Sequence, residues 1–253
     1  MRQLALILVF LLAGLWLPAQ TLDLLRTRLK ATYAAGHMNE WESLLNQLEK
    51  GYISTGDIRW LEELAWAEYA YTAYLLHTKQ EEKAAKMLSA ALDHTDKLLK
   101  LQPRNGSYLA LKSSLTAFRI QLRPLSAPFL GPRSARLMEE AVAADPFNYR
   151  VLTEKGLARL YAPSWAGGNP AEAVTLFTKA AAEISKYKDA ITNDWYYLHL
   201  MASYGQSLQK TDRHSQAVEV YQQVLSIEPS FQWVKNELLP QALAQAKNQK
   251  SGT

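Results

Sequence analysis

The 253-residue chain contains no cysteine. It can form no disulfide and no thiolate metal site, and it cannot be anchored to a membrane through a lipid-modified first cysteine. Stability must come from buried apolar surface, which a sequence 48% hydrophobic supplies. Strand-like alternation of apolar and polar residues is also missing. The five histidines, His37, His77, His94, His199 and His214, include no pair three or four residues apart and no His-Glu-x-x-His, the spacing a helical zinc site needs. No Gly-x-Ser-x-Gly elbow is present. Glu62-Glu63 and Glu139-Glu140 are adjacent in sequence, so on helices they do not face each other. Catalysis has no support here, and no catalytic, metal or cofactor residue is assigned.

Acidic charge is absent from one long stretch. Between Lys97 and Met138 there are eight basic residues and no Asp or Glu, a local polarity that steers an anionic partner or merely forms a solvated basic face. Asp93 to Asp96, "DHTD", reads as a solvated helix face rather than a metal site.

The N-terminus pairs Arg2 with a 14-residue apolar run, Leu4 to Leu17, broken by Pro18-Ala19. That run is too short for a bilayer-spanning helix and ends on a small residue, so residues 1–19 are expected to be a secretory signal peptide cleaved after Ala19. The destination expected is the periplasm, with no stable membrane insertion after cleavage. Export argues against nucleic acid as a partner.

Almost every later segment carries apolar residues at three- and four-residue spacing, giving ten or eleven expected helices and an all-α chain. In "MASYGQSLQKTDRHSQAVEVYQQVLSIEPS", Gly205 is followed by Ala217, Tyr221, Val224 and Pro229. A second copy places Gly156, Ala173, Phe177 and Ala180 in the same roles, its last three 44 residues before their counterparts. This pattern resembles the tetratricopeptide (TPR) motif. The resemblance implies a right-handed superhelix of antiparallel helix pairs, about three to four repeats, in which small residues let helices A and B meet, an aromatic fills the space against the next unit, and proline ends helix B. Residues 20–56 are expected to cap the solenoid, 57–230 to form the repeats, and 231–253 to give a C-terminal capping helix and disordered tail.

"APSWAGGNPAEAV", Ala162 to Val174, holds two adjacent glycines. Asn169 as N-cap, Pro170 at the first helical position and Glu172 in a capping-box arrangement explain them as a widened A–B turn. A phosphate loop would need a preceding strand, and its NTPase form a lysine with Ser or Thr. The preceding copy carries "RPLSAPFLGPRS" at the matching place, so two enlarged connectors are expected side by side on one edge. They bring Phe129, Leu130 and Trp165 together with Arg123 and Arg133 as a lip for an anionic, partly apolar partner. "GPRSARLMEEAVAADPFNYR" with "APSWAGG" is similar to exported TPR-like proteins related to the TPR component associated with TRAP transporters, which implies an apolar or carboxylated small molecule within the helices.

Helix A positions in the two best copies add Arg150, Thr153 and Leu157, then His199, Ala202 and Gln206, as the lining of a concave groove, with Tyr69 from an earlier helix. "WAEYAYTAY" and "DWYYLHLMASY" otherwise read as core between stacked repeats. The function expected is a non-catalytic scaffold for a protein or peptide partner. The alternative is an accessory protein holding an apolar or anionic small molecule under the enlarged loops.

Overall fold

The computed structural model describes residues 22–251, so the expected signal peptide and its cleavage site lie outside the described residues. Twelve α-helices occupy the described residues, joined by short turns, with no strand among them. A first helix, α1, covers residues 22–35 and α2 covers Trp41–Thr55. Four antiparallel pairs follow. They are α3 (Ile58–His77) with α4 (Glu81–Leu101), α5 (Gly106–Leu122) with α6 (Ala127–Ala144), α7 (Tyr149–Tyr161) with α8 (Pro170–Ile184), and α10 (Trp195–Gln209) with α11 (His214–Ile227). The six-residue α9, Lys188–Asn193, lies between the last two pairs. After α11 a π-helical turn, Val234–Leu238, leads into α12, Leu239–Ser251.

Capping residues explain where the A helices begin. Each A helix has an Asp or Asn N-cap whose side chain accepts a backbone N–H: Asp57 for α3, Asn105 for α5, Asn148 for α7 and Asp194 for α10. Among the B helices, α8 alone has such a cap, from Asn169 to the Glu172 N–H at 3.1 Å. Packing holds the other B helices without that help.

The glycines at the A–B crossings show the repeat register directly. A Cβ on Gly205 would stand 2.1 Å from the Tyr221 ring, and one on Gly156 would stand 3.0 Å from Phe177. Each aromatic therefore sits on the glycine of its own pair. Phe177 also reaches Tyr204 of the next pair, at 6.5 Å between ring centroids, so the expected contact with the following unit accounts for only part of its packing. In the second pair Ser113 and Ser134 take over this role. Their hydroxyls bond each other's backbone carbonyls at 2.8 and 2.9 Å, drawing α5 and α6 together. The spacing Ser134, Met138, Ala141, Pro146 equals that of Ala217, Tyr221, Val224, Pro229.

The A–B turns fall into two kinds. The first and fourth pairs use one tight turn, with Lys79 and Asp212 left-handed at φ 58° and 57°. In both, the next N–H closes the turn, Gln80 onto the Leu75 carbonyl and Arg213 onto that of Leu208. The third pair has the wider turn expected. Gly167 is left-handed at φ 89°, and a Cβ on Gly168 would stand 1.8 Å from the Ala162 carbonyl oxygen, so neither position admits a side chain without strain. Arg159 closes this loop from inside. Its carbonyl accepts the Asn169 N–H at 2.7 Å, its Nη1 donates to the Gly167 carbonyl at 2.8 Å, and its guanidinium pairs with Glu172 at 3.0 Å. The capping box is thus only half made, because Glu172 turns to Arg159.

The second connector is different from the expectation. "RPLSAPFLGPRS" is no open loop: Pro124–Ser126 form one 3₁₀ turn and α6 begins at Ala127, running through Pro132. Pro128 sits in the first helical positions, where a missing N–H costs nothing. Phe129 and Leu130 accordingly belong to the first turn of a helix.

Candidate functional site

Inside the superhelix the A helices do not leave an open trough. Large side chains from the first and fourth pairs meet across it: Trp66 and Tyr196 at 5.2 Å, and Tyr69 and His199 at 6.3 Å, between ring centroids. Phe118 of α5 stacks on Tyr69 at 5.2 Å. Helix α1 completes the filling and ties the ends of the solenoid together. Arg26 pairs with Glu63 of α3 at 2.8 Å, while Lys30 pairs with Glu228 at 2.9 Å and donates to the Thr192 carbonyl at 2.7 Å. Tyr33 packs on Trp195 and Phe231 at 5.5 and 5.7 Å. Leu22, Leu25 and Leu29 join the core of the first pair, and Ala34 joins that of the last.

This interior carries charge. Glu154 of α7 is fully buried and accepts three hydroxyl hydrogen bonds, from Ser114 at 2.6 Å, Tyr196 at 2.7 Å and Tyr69 at 3.0 Å. Burial pushes its carboxyl above the ordinary range, against those hydroxyls and the nearby Arg150 cation. The same burial, with Glu154 beside them, holds both tyrosine hydroxyls well above their usual value. Arg150 lies over the rings of Trp66 and Tyr196, 4.6 and 4.9 Å from their centroids, and pairs with Asp194 at 3.0 Å. Burial lowers His199 to about 4, so the imidazole is neutral at pH 7. Three buried atoms around Tyr196 (Trp66 Nε1, Arg150 Nη1 and His199 Nε2) have no hydrogen-bond partner among the described residues. Each such group costs about 1–3 kcal/mol if left unpaired, so this network is sensitive to substitution.

The groove lining expected from the sequence is therefore mostly interior. Tyr69 and Thr153 are buried, and Arg150 and His199 are largely buried in the network just described. Gln206 belongs elsewhere, accepting the Tyr161 hydroxyl at 3.0 Å where the third and fourth A–B turns meet. Lys210 joins the two turns again, lying 4.9 Å over the Tyr161 ring. Trp66 and Tyr196, within "WAEYAYTAY" and "DWYYLHLMASY", fill the core as expected, but Glu154 was missed, although a glutamate two residues before the crossing glycine was a usable signal. His94 is likewise buried, its Nδ1 2.9 Å from Glu68, so "DHTD" is not a wholly solvated face.

The lip residues lie outside. Phe129, in the first turn of α6, is 81% exposed and Trp165, in the connector of the third pair, 84%, and Leu125 reaches 93%. Arg123 and Arg133 are exposed, whereas Leu130 is half-buried. Phe129 and Trp165 point to solvent and roof no enclosed chamber. Such groups have no folding reason to be exposed.

The comparisons agree with this architecture. No family profile and no curated protein matches the chain. Among solved structures, a thermophilic TPR protein of Thermus thermophilus superposes with a TM-score of 0.54 at 14% identity, covering 88% of this chain and 99% of that one. The chain is an all-α, TPR-like superhelix. At that identity the likeness extends to the fold alone. No helix among the described residues is long and apolar enough to cross a membrane.

Proposed function

We propose that this TPR-like protein is an exported, non-catalytic scaffold of the periplasm that binds a protein or peptide partner along the edge where the A–B turns emerge. The observation that carries the reading is the pair Phe129 and Trp165, both more than four-fifths exposed, one at the start of α6 and the other in the connector of the next pair. Arg123 and Arg133 stand near Phe129 in sequence on the same exposed segment. A partner of acidic, partly apolar character meets both features. The filled interior supports the same view, since the A-helix face that would hold an extended peptide is taken up by α1 and by aromatic side chains.

The test is chemical cross-linking of the protein in its native envelope fraction, comparing wild type with Phe129→Ser/Trp165→Ser. A discrete adduct lost in the double variant is expected. Identical adducts from both proteins would remove the edge from the binding surface.

A further inference from the structure

We propose that the outer groove between α4 and α6 is the cleft in which an acidic amphipathic segment of the partner protein docks. This rests on the scaffold reading and names the chemistry of the partner. Helices α4 and α6 both pack on α5, and residues of all three helices line one groove. The resulting groove has a cavity of about 140 Å³, floored by Lys112 and Arg119, walled by Leu92 and Asp96 on α4 and by Leu130 and Arg133 on α6. It has room for one side chain of Leu or Glu size. The reciprocal Ser113–Ser134 contact draws α6 against α5 at this point, and the folding of "RPLSAPFLGPRS" into helix brings Leu130 to the wall.

The charges in the groove are unevenly used. Asp96 is taken by Lys112 in an ion pair. Arg119 and Arg133 have no acidic partner among the described residues, and no Asp or Glu occurs anywhere from Lys97 to Met138 to supply one locally. Both guanidinium groups are exposed and free to pair with an anion carried by another molecule. Leu92 and Leu130 add apolar wall beside the arginines, and Phe129 stands exposed next to Leu130. Two arginines beside a strip of leucine suit a segment whose carboxylates and apolar side chains alternate by helical turns. Asp93 and Asp96 on the α4 wall leave the anion's place on the side of Arg119 and Arg133, and a flat bilayer surface does not reach into a cavity bounded by two helices as a peptide side chain does.

The experiment measures fluorescence anisotropy of a fluorescein-labelled 14-residue peptide of Glu, Leu and Ala, titrated with the chain from Gln20, which carries every described residue. Saturable binding that weakens with added salt is expected, reduced roughly tenfold or more in Arg119→Glu/Arg133→Glu. Both arginines are exposed, and a thermal melt unchanged from wild type confirms that the variant is folded. Equal binding by the variant, or equal binding of a peptide with Lys for Glu, overturns the proposal. So does binding to phosphatidylglycerol vesicles with the same arginine dependence when the peptide does not bind. If the native cross-linked adduct survives Arg119→Glu/Arg133→Glu while the peptide fails to bind, the groove is excluded and the scaffold reading stands. If the peptide binds in the groove but Phe129→Ser/Trp165→Ser leaves the adducts unchanged, the turn edge is excluded and the groove stands.

Discussion

The Tyr221 ring lies on the bare Cα of Gly205, so close that a methyl group there would be 2.1 Å from the ring edge, against 3.0 Å for Gly156 under Phe177. Both crossings are closed by an aromatic on a glycine, but they differ in slack. Gly205→Ala is predicted to cost about 2–3 kcal/mol and Gly156→Ala about 1 kcal/mol, within the range of overpacked cores. Urea melts of the two variants give the comparison, and the reverse order would mean that the two crossings are packed differently from this account.

Arg150 is held by aromatic faces on two sides and by Asp194 at 3.0 Å. Removing one partner of a buried ion pair strands the other, so Arg150→Ala is predicted to lose about 3 kcal/mol or more. Arg150→Lys should recover less than half of this, because a compact ammonium lacks the planar face that lies over Trp66 and Tyr196. Full recovery in the lysine variant, read by denaturant unfolding, would reduce the role of Arg150 to its charge.

Local rules made part of this molecule legible. The close A–B contacts at Gly205 and Gly156, the Asn169 cap and the wide turn of Gly167-Gly168 each follow from residues near one another in sequence and were read correctly, whereas Tyr221 and Phe177, expected against the next repeat, sit on the glycine of their own pair. Proline and glycine misled at "RPLSAPFLGPRS", where Pro124 and Pro128 start helical turns instead of preventing them. The interior was misread for a different reason. Whether Tyr69, Thr153 and His199 line a groove or fill a core depends on how tightly the solenoid curls. That is set by contacts such as Trp66 to Tyr196 and Lys30 to Glu228, which no local period reveals.

His199 gives the stability a dependence on pH. Burial lowers it from the ordinary 6.5 to about 4, so on acidification the unfolded chain takes up this proton first. The stability contributed by the neutral ring is complete above pH ~6.5 and is lost as the pH falls towards 4, about 2–3 kcal/mol by pH 4.5. Glu154 acts in the opposite sense, since its raised carboxyl gains a proton earlier in the folded protein. Comparing wild type with His199→Phe isolates the histidine: the stability of wild type relative to the variant should fall between pH 7 and pH 4.5. A difference that does not change with pH would contradict the burial of the ring.

Helix α1 braces both ends of the superhelix through Arg26–Glu63 and Lys30–Glu228, with Leu29 fully buried between them. Leu29→Ala is predicted to cost about 2–5 kcal/mol. Unfolding should remain a single transition by both circular dichroism and tryptophan fluorescence, because the first and last pairs share this helix. Separate transitions by the two probes would show the ends to be independent.

The absence of native cysteine allows the most direct test of the central claim, that the interior is filled and the A–B turn edge is what the protein offers to a partner. Single cysteines are placed at Phe129, Trp165 and Thr153, and their reaction with a maleimide is timed. The account predicts that the first two react at the rate of an unstructured peptide, while the cysteine at Thr153 reacts on the order of a hundredfold more slowly, limited by opening of the fold. Fast labelling at Thr153 in the folded protein, or protection at Phe129 and Trp165 with no partner added, would contradict it.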